Sequence, residues 1–154
     1  MDIEKQIELL YESVLSLQND HLIIDIGIVD HALAGRIKKC TGEDLTGYLI
    51  TIDNYSIKHT LEKHGNPITE AKRGQLNITK DDFLLLPKLI FEFDKVYIDV
   101  KVNKIKHTKR ESLIFEKTID NTYFVVKEIR TVIKKGKVNR IILQTMYKRK
   151  ALLS

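Results

Sequence analysis

Residues 95–148 read KVYIDVKVNKIKHTKRESLIFEKTIDNTYFVVKEIRTVIKKGKVNRIILQTMYK, and this stretch decides the fold class. Ile98, Val100 and Val102 alternate with polar neighbours, the period of a strand that buries one face. Residues 112–117, 123–133 and 138–148 follow as three more strands, with short polar turns between them and KKGK as the last turn. Four consecutive strands joined in this way predict an antiparallel meander. A meander with one apolar face needs something to cover it, and helical patterns occupy the first half of the chain.

Working back from the sheet, Ile3, Ile7, Leu10, Val14 and Leu17 recur at spacings of four and three, which predicts an amphipathic helix over residues 2–19. Two heptads make a short seam, so this helix is expected to fold back on the domain, with self-association as the alternative. Residues 22–29, LIIDIGIV, read as a strand. Asp30 caps a second helix that runs through Ala32, Ile37 and Cys40 to a stop at Thr41 and Gly42. The pattern then repeats. GYLITI at residues 47–52 is a strand, Asp53 or Asn54 caps the next helix, and Gly65 is expected to take a left-handed cap that Pro67 seals. Thr79, Asp81 and Asp82 open a further helix that Pro87 kinks or ends. The prediction is an α+β fold with N-terminal helices packed on one face of a four-stranded antiparallel sheet. Residues 1–20 form an appended helix and residues 21–154 one domain.

The chain has 154 residues, of which 43% are apolar, enough for one core and too few for two. No apolar run approaches a membrane span and no signal-peptide pattern opens the chain, so it reads as soluble and cytoplasmic, without a membrane partner. The single cysteine, Cys40, has no internal disulfide partner and no zinc-site spacing around it. P-loop, dinucleotide-binding and His-Glu-x-x-His motifs are missing, as is any carboxylate cluster suited to paired magnesium ions, so neither cofactor nor metal is expected. Charge is uneven. Residues 1–94 hold 10 Lys and Arg against 16 Asp and Glu, and residues 95–154 hold 16 against 5, so halves of −6 and +11 sum to the net +5. A one-sided positive surface gathers polyanions, which makes nucleic acid the leading partner class; the alternative is a solvated Lys-rich sheet.

Residues 53–75, DNYSIKHTLEKHGNPITEAKRGQ, gather two histidines, an arginine, a glutamine and three lysines around a helix end. Histidine moves protons near neutral pH and arginine forks onto phosphates. His64 falls in the last helical turn, where the carbonyl ends favour an imidazolium able to donate a proton. His59 lies five residues earlier, about 140° around a regular helix, so the two cannot both point into one site unless the last turn unwinds. On the last strand, Asn139, Ile141, Leu143, Thr145 and Tyr147 are expected on one face, an apolar row that turns hydroxyl-bearing as if a core opened into a cleft. There Thr145 can bond a phosphate oxygen, Tyr147 can stack or donate, and Lys148 and Arg149 supply charge. The plainer alternatives are a polar helix end and a strand running out into solvent.

From about Leu22 onward the chain resembles the phage-borne nuclease domains grouped with barnase, EndoU, the RNase colicins and RelE, found as carboxy-terminal toxin modules of phage head-associated proteins and in mobile elements. The residues that carry the resemblance are DIGIVDHALAGRIKK and TGEDLTGYLITID, then SIKHTLEKHG, EAKRGQLNITKDDFLLLPKLI and the closing LQTMYKRK, spread over residues 22–150. The resemblance implies an α+β fold and an RNA-cleaving site that needs no metal. The positions it implies are His59 and His64, Arg73 and Gln75, Thr145, Tyr147 and Lys148, with Lys117 a fainter match. The first nineteen residues lie outside it, and no fused head-protein domain is expected.

Together these features predict a toxin-like ribonuclease that cleaves by 2′-hydroxyl transesterification. His59, His64, Arg73, Thr145 and Tyr147 carry the chemistry, and Gln75, Lys117, Lys148 and Arg149 hold the substrate. The expected partners are RNA, with tRNA among the candidates, and an immunity protein. Cytoplasmic action extends to delivery by a phage. Two rivals stand beside this reading: a catalytically silent RNA-binding or phage-accessory module, and an interaction domain assembled through its first helix.

Overall fold

A computed structural model describes residues 2–16, 20–130 and 138–152. Its elements, in chain order, are α1 (Ile3–Leu15), β1 (Ile23–Ile28), α2 (His31–Thr41), β2 (Leu49–Asp53), α3 (Asn54–His64), α4 (Pro67–Lys72), α5 (Lys80–Leu84), α6 (Leu86–Phe91), β3 (Lys95–Asn103), β4 (Thr108–Ile119), β5 (Thr122–Arg130) and β6 (Arg140–Lys150). Leu17, Asn19, residues 131–133 of the third predicted strand and the KKGK turn lie outside the described residues.

The fold is mixed α+β, but its sheet has six strands in the order β1-β2-β6-β5-β4-β3, where the sequence predicted four. The predicted meander is its larger part, since β3 through β6 pair antiparallel in turn. LIIDIGIV and GYLITI form an antiparallel pair that joins the sheet through a parallel contact of Leu49–Thr51 with Arg140–Ile142. That junction joins segments some ninety residues apart, and local periodicity carries no trace of it.

One face of the sheet is dry. Val96, Leu113, Phe115, Phe124, Val126, Ile141, Leu143 and Met146 share a core with Ile7 and Leu10 of α1, Leu33 and Ile37 of α2, Ile57 of α3, Phe83 of α5, and Leu89 and Ile90 of α6. Local signals explain the ends of these helices. Asp30 caps α2, and Gly42 closes it at φ 80°. Asp53 and Ser56 form a capping box at α3, and His21 Nε2 lies 2.9 Å from Asp53 Oδ2. The helical path breaks at Leu85 and restarts as α6, with Pro87 in the first turn where its missing N–H costs nothing.

Gly65 departs from expectation. Its φ of −93° is right-handed, so the residue is not a left-handed cap. Glycine is needed there for space, because an added Cβ would stand 2.5 Å from the Leu61 carbonyl oxygen. Nor does Pro67 only stop a helix. It opens α4, whose cap is Asn66.

Candidate active site

The turn from α3 into α4 fixes His64. Asn66 bonds the amides of Ile68 and Thr69, and α4 then carries Glu70 back beneath the end of α3. Glu70 is completely buried. One of its oxygens lies 3.0 Å from His64 Nδ1, the other accepts from Arg73 at 3.1 Å, and Arg73 also donates to the Lys63 carbonyl at 2.9 Å. A carboxylate only accepts, so Nδ1 donates to it and the ring is held in one orientation. Proton exchange with anything outside then falls to Nε2. The His64 carbonyl accepts from Ile78 at 2.7 Å, and Leu76 pairs with Lys148 of β6, so both sides of the turn are tied to the fold.

Opposite His64 stands Tyr147, with ring centroids 5.6 Å apart. A β-bulge brings it there. Lys127 pairs with Thr145 while Glu128 pairs with Leu143, which leaves Gln144 as an extra residue in β6. Leu143 and Met146 belong to the core, whereas Thr145 and Tyr147 face the other way. The expected single row of Asn139, Ile141, Leu143, Thr145 and Tyr147 is therefore wrong: it changes faces at the bulge. What looked like a core opening into a cleft is a strand whose Thr145 and Tyr147 lie on the side away from the core.

On that outer face Tyr97 of β3 and Tyr123 of β5 both bond the carboxylate of Glu116 on β4. Partial burial, then this hydrogen bond and the charge of Glu116, push the Tyr97 phenol up to about 12 and Tyr123 higher still. The Tyr147 phenol is also raised, by burial first and then by Glu116. All three are neutral donors at neutral pH. Glu116 and Tyr147 lie in one cross-strand row, since both pair with Val125. The Arg149 guanidinium lies 4.4 Å over the ring of Tyr123 on the same face. Thr145 Oγ1 and Gln75 Oε1 are buried without a hydrogen-bond partner among the described residues.

Not every predicted residue joins this group. Lys148 lies on the core side, 2.7 Å from Asp82, where it ties β6 to the capped start of α5. Lys117 is on that side too, 3.4 Å from Asp94. Among the described residues no hydrogen bond or ring contact joins His59 to His64 or Tyr147, in keeping with the helical divergence of the two histidines. Arg73 is near, and one of its guanidinium nitrogens, Nη1, holds both Glu70 and the end of α3. Sequence reasoning missed Glu70, Glu116, Tyr97 and Tyr123. Glu70 had a signal, an acid three residues before Arg73 just past the helix end. For the others each strand offers a single tyrosine or glutamate among its outward residues, and only the pairing of the strands brings them together. Among the described residues no group of three or more His, Cys, Asp or Glu side chains is arranged to hold a metal ion, and no helix is long and apolar enough to cross a membrane.

The model of a family described as phage-Barnase-EndoU-ColicinE5/D-RelE like nuclease3 matches residues 27–152, well over half of the chain. The chain belongs to this family. The comparisons with curated proteins and with solved structures give no match. The resemblance to this family is thus borne out over residues 27–150, and the name of the family suggests a nuclease.

Proposed function

We propose that this nuclease cleaves RNA without a metal, by attack of a 2′-hydroxyl on the adjacent phosphorus. The P–O5′ bond breaks as the P–O2′ bond forms, and the products are a 2′,3′-cyclic phosphate and a 5′-hydroxyl. One group must take the 2′-hydroxyl proton and another must protonate the leaving oxygen. His64 Nε2 fills one of these places and Glu116 the other. Tyr147 donates to the phosphate oxygens as negative charge builds on them, while the phenols of Tyr97 and Tyr123 hold the Glu116 carboxylate. Arg73 and Glu70 hold the histidine, and His59 is a supporting residue on α3.

The observation that carries this reading is His64 locked at Nδ1 by a fully buried carboxylate and aimed across the helix end at Tyr147. Holding a carboxylate out of water beneath a helix end costs desolvation, which a plain polar end solvated by water avoids. The test is a gel of mixed cellular RNA, tRNA included, incubated with the purified protein in EDTA. RNA is expected to be cut and DNA spared. The His64→Ala variant should lose about 10²–10⁴-fold in rate, the usual worth of general acid–base catalysis, and His59→Ala far less. A folded protein that binds RNA and leaves it intact would favour the silent-module reading.

A further inference from the structure

Beyond the scissile site, the outer face of the sheet continues into a ribbon. β3 and β4 pair from Lys95↔Glu116 out to Asn103↔Thr108, while among the described residues β5 accompanies β4 no further than Ser112↔Ile129. Every residue from Lys101 to Arg110 is exposed. This ribbon holds Lys101, Lys104, Lys106, Lys109 and Arg110 with no acid among them.

The register puts two of these cations in an unfavourable place. Lys101 pairs directly with Arg110, so two like charges face each other across an antiparallel pair, which costs stability unless something anionic comes between them. Both stand on the face of Tyr97 and Thr145, because Tyr97, Asp99 and Lys101 alternate along β3. Lys127 continues the line. It pairs with Thr145 at the bulge, and its ammonium is held below the usual lysine range by burial first and then by Lys101, with a smaller push from Lys63. The acid beside it is Asp99, at 4.0 Å. Lys63 immediately precedes His64, so the line of cations starts at the catalytic turn and ends on the ribbon.

We propose that Lys63, Lys127, Lys101 and Arg110 form a phosphate track, along which single-stranded RNA extends several nucleotides to one side of the cut. From Tyr97 to Lys101 the strand spans about 13 Å at 3.3 Å per residue, room for more than one nucleotide beyond the reacting phosphate. The like-charged pair is stabilised when a backbone phosphate lies between its members. This inference rests on the ribonuclease reading for what lies at the far end of the track. The track itself is read from the register and the charges.

The test compares the 154-residue chain with a Lys101→Gln/Arg110→Gln variant on two substrates, a randomised ten-nucleotide RNA and a mixture of dinucleotides. The ratio of kcat/KM on the longer to the shorter substrate is expected to fall about tenfold in the variant, the scale of two screened phosphate contacts. A Lys5→Gln/Lys88→Gln control should keep the wild-type ratio. Binding of the same ten-nucleotide RNA, measured with His64→Ala as the background, should lose about 1.4 from its log–log salt slope on adding the two substitutions. An unchanged ratio together with an unchanged slope overturns the track and leaves the ribbon to an acidic protein partner. If wild-type protein cuts neither substrate, the ribonuclease reading fails, and the salt slope still decides the track.

Discussion

Glu128 stands in a core row between Leu113 and Leu143, completely buried, with no hydrogen-bond partner for either oxygen among the described residues. Burial pushes its carboxyl well above the usual range, so the folded protein holds it neutral to a higher pH than the unfolded chain does. A group raised in this way contributes its full stability below the unfolded pKa and loses it as pH rises through the folded one. Relative to Glu128→Gln, wild-type stability should therefore fall from about pH 4.5 upward, by about 1.4 kcal/mol per pH unit until the folded pKa is reached. Glu128→Leu should exceed wild type at pH 7.5. Urea midpoints across pH 4.5–8 check this, and wild-type and variant curves that stay parallel would refute it. At this scale His64 was legible, because glycine and proline mark the helix end and the end fixes the residue. Glu70 was not, because its partners meet only when α4 folds back under α3.

At the scale of elements, the face of β6 turns on a single residue. Alternation made Thr145 and Tyr147 legible as a pair, but the bulge at Gln144 decides which face they show, and a bulge is set by the partner strand rather than by β6 itself. The α3–α4 turn has the same character. Its punctuation was readable, yet the conformation of Gly65 was not, because the demand on it is closeness to Leu61. Gly65→Ala should consequently destabilise the protein by about 1–3 kcal/mol through overpacking. At this chain length that lowers Tm by about 2–4 °C per kcal/mol. Since the turn also aims His64, the variant should lose more activity at 25 °C than its small unfolded fraction explains. Calorimetry and RNA cleavage on one sample separate the two effects, and a variant as stable and active as wild type would show that the turn tolerates a Cβ.

For the whole molecule, composition and the basic second half pointed to a polyanion partner, and the meander gave most of the sheet. What stayed hidden was the parallel β2–β6 contact, a pairing distant in sequence that turns two isolated strands into the other side of one sheet. It matters for the site, since β2 leads directly into α3 and so carries His64 to the edge of β6 where Tyr147 stands. The central claim is that this arrangement uses the 2′-hydroxyl of RNA as its nucleophile. The most direct measurement is single-turnover cleavage in EDTA of one RNA and of the same RNA with a single 2′-deoxynucleotide at the cut position. The account predicts that the first gives a 2′,3′-cyclic phosphate end and the second is not cut at that position. Equal cleavage of both, or cleavage that appears only when magnesium is restored, would contradict it.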